Sequence, residues 1–333
     1  MLVLGIESSC DESSICLLGD DKKLLCDIII SQDHVKYNGV YPEFAAREHL
    51  TNLPIIARKV LDIAKSNDIS SIAVTCGPGL VGSLMVGIMF AKGLGFALKK
   101  NVIGINHLEG HALSVRLTND LEFPFLLLLV SGGHSSIIAV QSVGSYKELG
   151  STLDDAFGEA FDKVATMLGL PYPGGKEIEE KAKCGDKKRF FFPRAMLKTG
   201  CCNFSLSGVK TAVKDEIKKI KQLSSQDICD ISASFQECIS DIILKKLELA
   251  QKICNYKTIV AAGGVASNEY IRSKINNFCT EKNLNVFFPK KRFCTDNAAM
   301  IAWAAIERLK AQIPCCNKVA PNPRWDISDL NSL

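Results

Sequence analysis

Two of the five histidines in this 333-residue chain lie four positions apart, at His107 and His111. Residues i and i+4 share one face of a helix, a common geometry for two histidines that hold one metal ion. The alternative is a pair of capping residues at the start of a helix. The intervening Glu109-Gly110 favours the metal, because a glycine at this place weakens a helix.

The spacing resembles the H-E-x-x-H motif of zinc peptidases, in which a glutamate directly follows the first histidine and acts as general base. Here Glu109 lies two positions after His107, about 200° round a helix from it. Its side chain is expected to point away from the metal. The pattern therefore disfavours peptidase chemistry but leaves metal binding intact.

Two histidines need at least one further ligand, and Asp296 at the start of the last predicted helix is a candidate. Its alternative role is a plain N-cap. Two histidines and one carboxylate with open positions suit iron(II) or zinc acting as a Lewis acid.

Glycine-rich turns follow two apolar segments, as Ser131-Gly132-Gly133 after Phe125–Val130 and Gly263-Gly264 after Thr258–Ala262. The second turn leads through Asn268 into a predicted helix, a favourable place for a phosphate or ribose. Ordinary tight turns are the alternative for both.

Polar residues beside other turns are further candidates. Asp162 on a predicted helix precedes a third glycine turn, and it could hold a ribose hydroxyl or pair with a nearby lysine. Asp11 and Glu12 lie in the first polar turn, where paired carboxylates could orient an amine or a metal, or simply be solvated. Three basic clusters could meet a phosphate backbone or be solvated surface: 187–189, 218–221 and 290–292.

The elements that must position these residues form an α/β pattern. Leu2–Leu18 and Leu126–Val140 each read as strand, short Ser/Gly turn and second strand, a weak internal repeat that indicates two lobes built on one plan.

Pro54 predicts a break or kink in a helix over about 43–65. The uncharged stretch Ile69–Ala91 is interrupted by glycines and a proline, so no membrane span is expected.

Composition fits a globular protein, with 47% hydrophobic and 23% charged residues and a formal net charge of +4. The 14 cysteines include no CxxC pair, which argues against a zinc ribbon and favours free thiols in a reducing compartment. The opening residues, MLVLGIESSCDE, include no basic residue, so we do not expect them to act as a targeting leader. We expect a cytoplasmic protein.

Ten motifs in order carry a resemblance that spans Leu2 to Trp325: GIESSCDES, YPEFAAREH, GPGLVGSLMVG, NHLEGH, LVSGGH, GEAFDK, YPGG, FSLSGVKT, AGGVASN and CTDNAAM. Together they closely resemble the TsaD family, also called Gcp or YgjD. LVSGGH, with His134, is similar to the bacterial branch. The resemblance implies an actin/hexokinase/Hsp70-like (ASKHA) α/β fold with duplicated lobes and a central cleft. It places the N-terminal lobe at 1–118, with the final helix (about 297–325) packed back on it, and the C-terminal lobe at 119–296.

The resemblance also implies an activity. The family transfers a threonylcarbamoyl group from threonylcarbamoyl-AMP to N6 of the adenosine 3′ of the anticodon, in tRNAs that read codons beginning with A. Partner proteins of the TsaB and TsaE type are expected. A peptidase, an ATP-dependent kinase or chaperone of the same fold class, and a non-enzymatic TsaB-like scaffold are the alternatives.

Carried onto this chain, the family's site residues fall into two groups. Metal ligands are His107, His111 and Asp296, with iron(II) favoured and zinc the alternative. Substrate contacts are Leu129, Val130, Ser131, Gly132, Gly133, Asp162, Gly175, Asn268 and, more weakly, Glu179. Apart from these carried-over residues, the paired carboxylates of the first polar turn are candidates for the proton step, in which Asp11 or Glu12 would orient or deprotonate the adenosine amine.

Overall fold

The computed structural model describes residues 1–34, 39–64, 69–197, 199–314 and 319–332. In these ranges the strands are β1 (Leu2–Glu7), β2 (Glu12–Gly19), β3 (Leu24–Ser31), β4 (Ser71–Gly77), β5 (Asn101–Asn106), β6 (Phe125–Val130), β7 (Ser135–Ser142), β8 (Ser145–Ser151), β9 (Thr258–Ala262) and β10 (Asn285–Phe287). The helices are α1 (Pro42–Ile63), α2 (Val81–Leu98), α3 (His107–Thr118), α4 (Phe157–Met167), α5 (Gly174–Ala182), α6 (Ser207–Lys219), α7 (Ser225–Cys254), α8 (Glu269–Glu281) and α9 (Ala298–Lys310).

Contacts among Cα atoms divide the chain into two units. The first, unit 1, comprises Met1–Leu121, Gln141–Tyr146 and Pro289–Leu333, and unit 2 comprises Glu122–Val140 and Lys147–Phe288. These units differ from the lobes expected from the sequence at 119–121, 141–146 and 289–296. Asp296 therefore belongs to the same unit as the two histidines.

The sheet of unit 1 has the strand order β3-β2-β1-β4-β5. β1 pairs antiparallel with β2 and parallel with β4, which in turn pairs parallel with β5. All seven residues of β4 are buried, as expected of a parallel strand with both faces covered. Because β1, β4 and β5 run in parallel, their carboxyl ends meet at one edge of the sheet.

The last helix, α9, packs against this sheet through small side chains. Its residues Ala298 to Arg308 are all buried. A Cβ atom added to Gly5 of β1 would lie 2.9 Å from Cβ of Ala302 and would collide with the carbonyl oxygen of Ala298. The glycine and the alanines therefore permit a close contact that draws the start of α9 onto the central strand.

Two other helices of unit 1 have an unusual composition. α1 contains a proline in its interior, and α2 is strongly apolar. α1 runs through Pro54 as one helix, so of the predicted break or kink the break does not occur. Leu50 and Ile55 beside it are exposed, and water can bond the carbonyl that loses its N–H partner at proline. By length and composition α2 is apolar enough to cross a membrane, a property that core helices of globular proteins share.

The sheet of unit 2 repeats the first one. Its order is β10-β9-β6-β7-β8, with β6 antiparallel to β7 and parallel to β9, and β9 parallel to β10. When β1 to β5 are renumbered in order as β6 to β10, the strand order of unit 1 becomes that of unit 2, read from the opposite edge. The duplication predicted from the Ser/Gly turns is confirmed, although β8 was not predicted. Helices α4 to α8 cover this sheet, and Phe157, Phe161 and Phe235 lie in its core.

Cysteines serve as small core residues or surface thiols in this fold. The twelve in the described ranges are all free: Cys10, Cys16, Cys26, Cys76, Cys184, Cys201, Cys202, Cys229, Cys238, Cys254, Cys279 and Cys294. Cys315 and Cys316 lie outside the described residues.

Candidate functional site

The two histidines lie on the first turn and a half of α3, directly after β5. Asn106 ends the strand and caps the helix, since its Oδ1 accepts hydrogen bonds from the backbone N–H groups of Leu108 (2.8 Å) and Glu109 (3.2 Å). The cap starts the helix at the carboxyl edge of the sheet. His107 and His111 thereby face the same side, as the spacing predicted.

Asp296 reaches the histidines from the loop before α9. Nε2 of His111 lies 3.0 Å from Oδ1 of Asp296, and Nε2 of His107 lies 3.4 Å from the same oxygen. The N-cap of α9 is Asn297, whose Oδ1 accepts a hydrogen bond from the N–H of Met300. The alternative role for Asp296, a plain N-cap, is therefore wrong.

These three side chains fit one metal ion. Their ligand atoms all lie within 4.8 Å of one another. Metal–ligand bonds of about 2.1 Å would set neighbouring ligand atoms roughly 3.0 to 3.4 Å apart, which agrees with the two histidine–carboxylate distances. The histidine side chains are 3% and 0% exposed and that of Asp296 is 20% exposed, so the site is open on the carboxylate side.

Glu7, which sequence reasoning did not single out, orients the first histidine. Its Oε2 lies 3.1 Å from Nδ1 of His107 and accepts a hydrogen bond from the hydroxyl of Thr75, while its Oε1 accepts one from the N–H of Ser9. A carboxylate on Nδ1 leaves Nε2 available as a metal ligand. The sequence signal that could have identified Glu7 is its position, since it is an acidic residue that directly ends an apolar strand.

The site is strongly charged. Although burial alone would raise it, the pKa of Glu7 is lowered by the neighbouring His107. Burial likewise opposes ionisation of Asp296, but the two histidines hold its pKa well below the usual value. Two carboxylates beside two imidazoles are an arrangement that a divalent cation stabilises.

Glu12, one of the two expected proton-handling carboxylates, belongs to the same environment. It begins β2, and burial followed by the charges of Asp296 and Asp11 holds its pKa well above the usual value. Asp11 lies immediately before it in the turn and is half-buried. Both carboxylates therefore lie on the side of unit 1 that carries the candidate metal ligands.

Glu109 points away from the histidines, as its place on the helix predicted. Its carboxylate accepts hydrogen bonds from Nε of Arg308 (2.6 Å) and from the hydroxyl of Tyr146 (2.8 Å), and all three side chains are almost fully buried. A glutamate held in this way is not available as the general base of a peptidase.

In unit 2 the loop after β6 presents backbone rather than side chains. Leu129 and Val130 are fully buried, so only their main chains could meet a ligand. Ser131 is tied to the loop, since its N–H donates to the carbonyl of His134 and its hydroxyl accepts from the His134 N–H. A Cβ atom on Gly132 or Gly133 would meet nothing within 4 Å. The loop is exposed at the glycines and leaves room for a ligand.

The start of α4 faces this loop. The N–H of Gly158 donates to the carbonyl of Ser131 over 3.1 Å, and a Cβ on Gly158 would lie 2.7 Å from Cα of Gly132. A helix amino terminus beside exposed backbone N–H groups favours an anionic ligand.

Three of the other expected substrate contacts are each held by a hydrogen bond to another residue of unit 2. Asp162 accepts from the N–H of Gly174 at the start of α5, Glu179 accepts from the N–H of Glu269, and the amide of Asn268 donates to Gln236. Asn268 also caps α8.

A cavity of about 500 Å³ lies among these elements. Its lining includes Glu179, Gln236 and Tyr270, whereas Asp162, Gly175 and Asn268 are not part of it. Of the residues carried over from the resemblance, only the weakest one, Glu179, lines this cavity.

Comparison with known proteins decides the family. The family described as TsaD, tRNA N6-adenosine threonylcarbamoyltransferase, matches residues 23–303. The chain belongs to the TsaD family. A relative of that same name from Neorickettsia sennetsu is 54% identical over 97% of this chain and 98% of its own length. Others from Wolbachia pipientis wMel and Rickettsia rickettsii are 47% and 46% identical, with 98% and 99% of each chain covered.

Solved structures show the fold of this TsaD-family chain. Full-length HypF in its phosphate- and nucleotide-bound form superposes with a TM-score of 0.62 at 13% identity, over 93% of this chain and 55% of HypF. Component A of (R)-2-hydroxyglutaryl-CoA dehydratase from Acidaminococcus fermentans gives 0.54 at 16%, over 93% and 99%. A ROK family protein from Streptococcus pneumoniae gives 0.54 at 13%, over 94% and 99%. The predicted ASKHA fold class is confirmed.

Proposed function

We propose that this chain transfers a threonylcarbamoyl group to N6 of the adenosine 3′ of the anticodon, in tRNAs that read codons beginning with A. The observation that carries the proposal is the convergence of His107, His111 and Asp296 in a chain that matches transferases of this name along nearly its whole length. Glu109 cannot act as the general base of an H-E-x-x-H peptidase, because its carboxylate is bound to Arg308.

The donor in this proposal is threonylcarbamoyl-AMP, and unit 2 carries the family positions that would contact its nucleotide part. The exposed backbone of Gly132-Gly133 and the start of α4 suit its phosphate. Asp162, Gly175 and Asn268 hold the nucleotide part by their family positions, and Glu179 adds a contact from the cavity beside α8.

The proposed reaction is an acyl transfer in which AMP is the leaving group. The N6 amine attacks the carbamoyl carbonyl carbon, the bond from that carbon to the phosphate oxygen breaks, and AMP leaves with the electron pair. One N6 proton must be removed, and Asp11 or Glu12 receives it. Both carboxylates lie in the turn and strand next to Asp296, which places them in the unit that holds the candidate metal ligands.

His107, His111 and Asp296 would hold one divalent ion, iron(II) by preference and zinc as the alternative. The ion would supply a Lewis acid for the donor's carbonyl oxygen. Glu7 keeps His107 in the orientation that presents Nε2, and Asn106 fixes the start of the helix that carries both histidines.

Proteins of the TsaB and TsaE type are the proposed partners. Apolar side chains remain exposed on α1 and α2, among them Leu50, Met89 and Phe96 at 62%, 61% and 90%. An exposed apolar surface of this kind is typical of a protein–protein contact. We assign it to the TsaB-type partner, with action in the cytoplasm, where tRNA is modified.

Complementation in a bacterial host tests the function. A host depleted of its own family member receives this chain together with the partner proteins of its source organism. Mass spectrometry of nucleosides from purified tRNA should show the return of N6-threonylcarbamoyladenosine. The matched control is His107→Ala/His111→Ala, which should restore none. If the double variant restores the nucleoside as well as the wild type does, the proposed site is wrong.

A further inference from the structure

The turn between β1 and β2, which carries the two expected proton-handling carboxylates, is held at three successive carbonyl groups. The carbonyl of Ser9 accepts a hydrogen bond from the N–H of Leu80 over 2.8 Å. That of Asp11 accepts one from the N–H of Gln32 over 3.0 Å. Both contacts join main chains, whereas the carbonyl between them, that of Cys10, is bound by side chains.

His49 of α1 makes the shorter of the contacts with that carbonyl. Its Nε2 lies 3.0 Å from the carbonyl oxygen of Cys10, and its Nδ1 lies 2.7 Å from Oγ of Ser13. The hydroxyl of Ser83 lies 3.4 Å from the same carbonyl oxygen. His49 therefore binds the chain on both sides of the two carboxylates.

The chemistry of these partners fixes the tautomer of His49. A carbonyl oxygen can only accept a hydrogen bond, so Nε2 carries the proton and donates it to Cys10. The other nitrogen of a neutral imidazole is an acceptor, and Ser13 donates its hydroxyl to it. His49 is 0% exposed, and burial lowers its pKa from the usual value, although neighbouring carboxylates oppose this shift. Both ring nitrogens of a neutral imidazole are thus occupied by the turn.

The motif YPEFAAREH, at 41–49, ends in this histidine and contributes none of the candidate site residues. A group that receives a proton must lie within hydrogen-bond reach of the atom that loses it. A shift of about 1 Å in the place of such a group can cost a factor of 100 in rate. A side chain that fixes the turn 10–13 therefore has a direct effect on the proposed proton transfer.

We propose that His49 is a positioning residue, which holds the turn 10–13 so that Asp11 or Glu12 meets the adenosine amine. The proposal rests on the proposed function, and it adds a residue that acts through the turn and not on the substrate. Its loss should slow the chemical step and leave the binding of tRNA unchanged.

The test compares His49→Leu and His49→Gln in the complex with the partner proteins. Leucine fills a similar volume but bonds to neither partner, whereas the amide nitrogen of glutamine can reach the place of Nε2 and donate to Cys10. The matched control is Asn52→Leu on the same helix. Asn52 is buried, and in the ranges that the structure describes its amide nitrogen has no hydrogen-bond partner.

Four quantities are measured for each variant. They are the single-turnover rate at saturating threonylcarbamoyl-AMP and tRNA, the KM for tRNA, the metal content and the affinity for the partner proteins. The last is included because Leu50, next to His49, belongs to the apolar face assigned to the TsaB-type partner.

His49→Leu should lower the single-turnover rate roughly 10- to 100-fold, as expected for a displaced proton acceptor. Its KM, metal content and partner affinity should stay at the wild-type values. His49→Gln should recover most of the lost rate, because the hydrogen bond to Cys10 returns. Asn52→Leu should match the wild type in all four quantities.

Three results would overturn the proposal. An unchanged single-turnover rate in His49→Leu means that the turn does not need the histidine, and a raised KM with an unchanged rate means that His49 serves binding. Equal losses in His49→Leu and His49→Gln mean that the bond to Cys10 is not the cause.

A further variant covers the case in which His49→Leu does not fold, as judged by circular dichroism. His49→Asn has a shorter amide that can meet Ser13 but not Cys10, so it should show the same loss, and a wild-type rate would overturn the proposal. Failure of the proposed function looks different, because the wild-type complex would then form no modified adenosine.

Discussion

Nε of Arg308 donates a hydrogen bond to Oε2 of Glu109 over 2.6 Å, and this contact joins the helix of the two histidines to the helix that follows Asp296. Both side chains are buried, at 2% and 0% exposure. The three candidate metal ligands come from α3 and from the residue two positions before α9. The ion pair therefore helps to fix the distance between the ligands, although neither of its members touches the site.

Removal of one charge from this pair should be costly. Glu109→Gln leaves a buried guanidinium without a counter-ion, which destabilises proteins by about 3–5 kcal/mol. We expect a fall of that size in the free energy of unfolding by urea, with partial recovery in Glu109→Gln/Arg308→Met, where no buried charge remains.

The same variants should weaken the metal site. The d–d absorption spectrum of the Co²⁺-substituted protein reports ligand geometry, and it should change in both Glu109 variants. Glu307→Gln is the control, because Glu307 pairs with Arg116 between the same two helices but at a more exposed place, with side chains 10% and 22% exposed. An unaltered cobalt spectrum in Glu109→Gln would show that the pair has no part in positioning the ligands.

Metal binding itself should depend on the two histidines. His107→Ala/His111→Ala is expected to lose the ion, because a lone Asp296 cannot retain it. Since the site is open at Asp296, the far-ultraviolet circular dichroism should stay near that of the wild type. Elemental analysis should give one ion per wild-type chain and almost none in the variant. A full metal content in the double variant would contradict the assignment.

The exposed apolar face of α1 and α2 should be needed for the partner protein. Phe96→Glu places a charge in that face and should weaken the complex at least tenfold, as measured by calorimetry. Phe191→Glu is the control, because Phe191 is similarly exposed (84%) but lies in unit 2. Equal affinities for the two variants would place the partner elsewhere.

The cysteines should all be thiols. None of the twelve in the described ranges is bonded to another, and the sequence offers no disulfide framework. Titration of the denatured, unreduced protein should count 14, including Cys315 and Cys316. A count lower by two or more, together with disulfide-linked peptides in a digest, would contradict the expectation of a reducing compartment.

Local patterns predicted much of this structure. The i, i+4 histidines, the acid before the last helix and the two Ser/Gly turns depend on neighbouring residues, and the structure has them in the expected elements. The contacts of Glu7 with His107 and of Glu109 with Arg308 depend on which strands and helices become neighbours. Their partners are 100 and 199 positions away, so no local pattern could reveal them.

Two other features differ from what the sequence predicted, and both depend on the surroundings of the segment and not on its own residues alone. A break or kink at Pro54 was expected from the missing N–H. The helix is not broken there, because neighbouring exposed positions allow water to replace the lost hydrogen bond. β8 was missed because Ser145–Ser151 contains only one tyrosine and one leucine among polar residues and a glycine, and its pairing with β7 makes it a strand.

The most direct test of the whole account is transfer in vitro by the purified complex. Threonylcarbamoyl-AMP and unmodified tRNA are supplied, and modified adenosine and released AMP are quantified by mass spectrometry. The wild type should form both in equal amounts, and His107→Ala should lose transfer. Gly133→Val should lose transfer with its metal retained, because the added side chain has space in the protein and obstructs only the ligand. If Gly133→Val or His107→Ala transfers at the wild-type rate, the proposed site is contradicted.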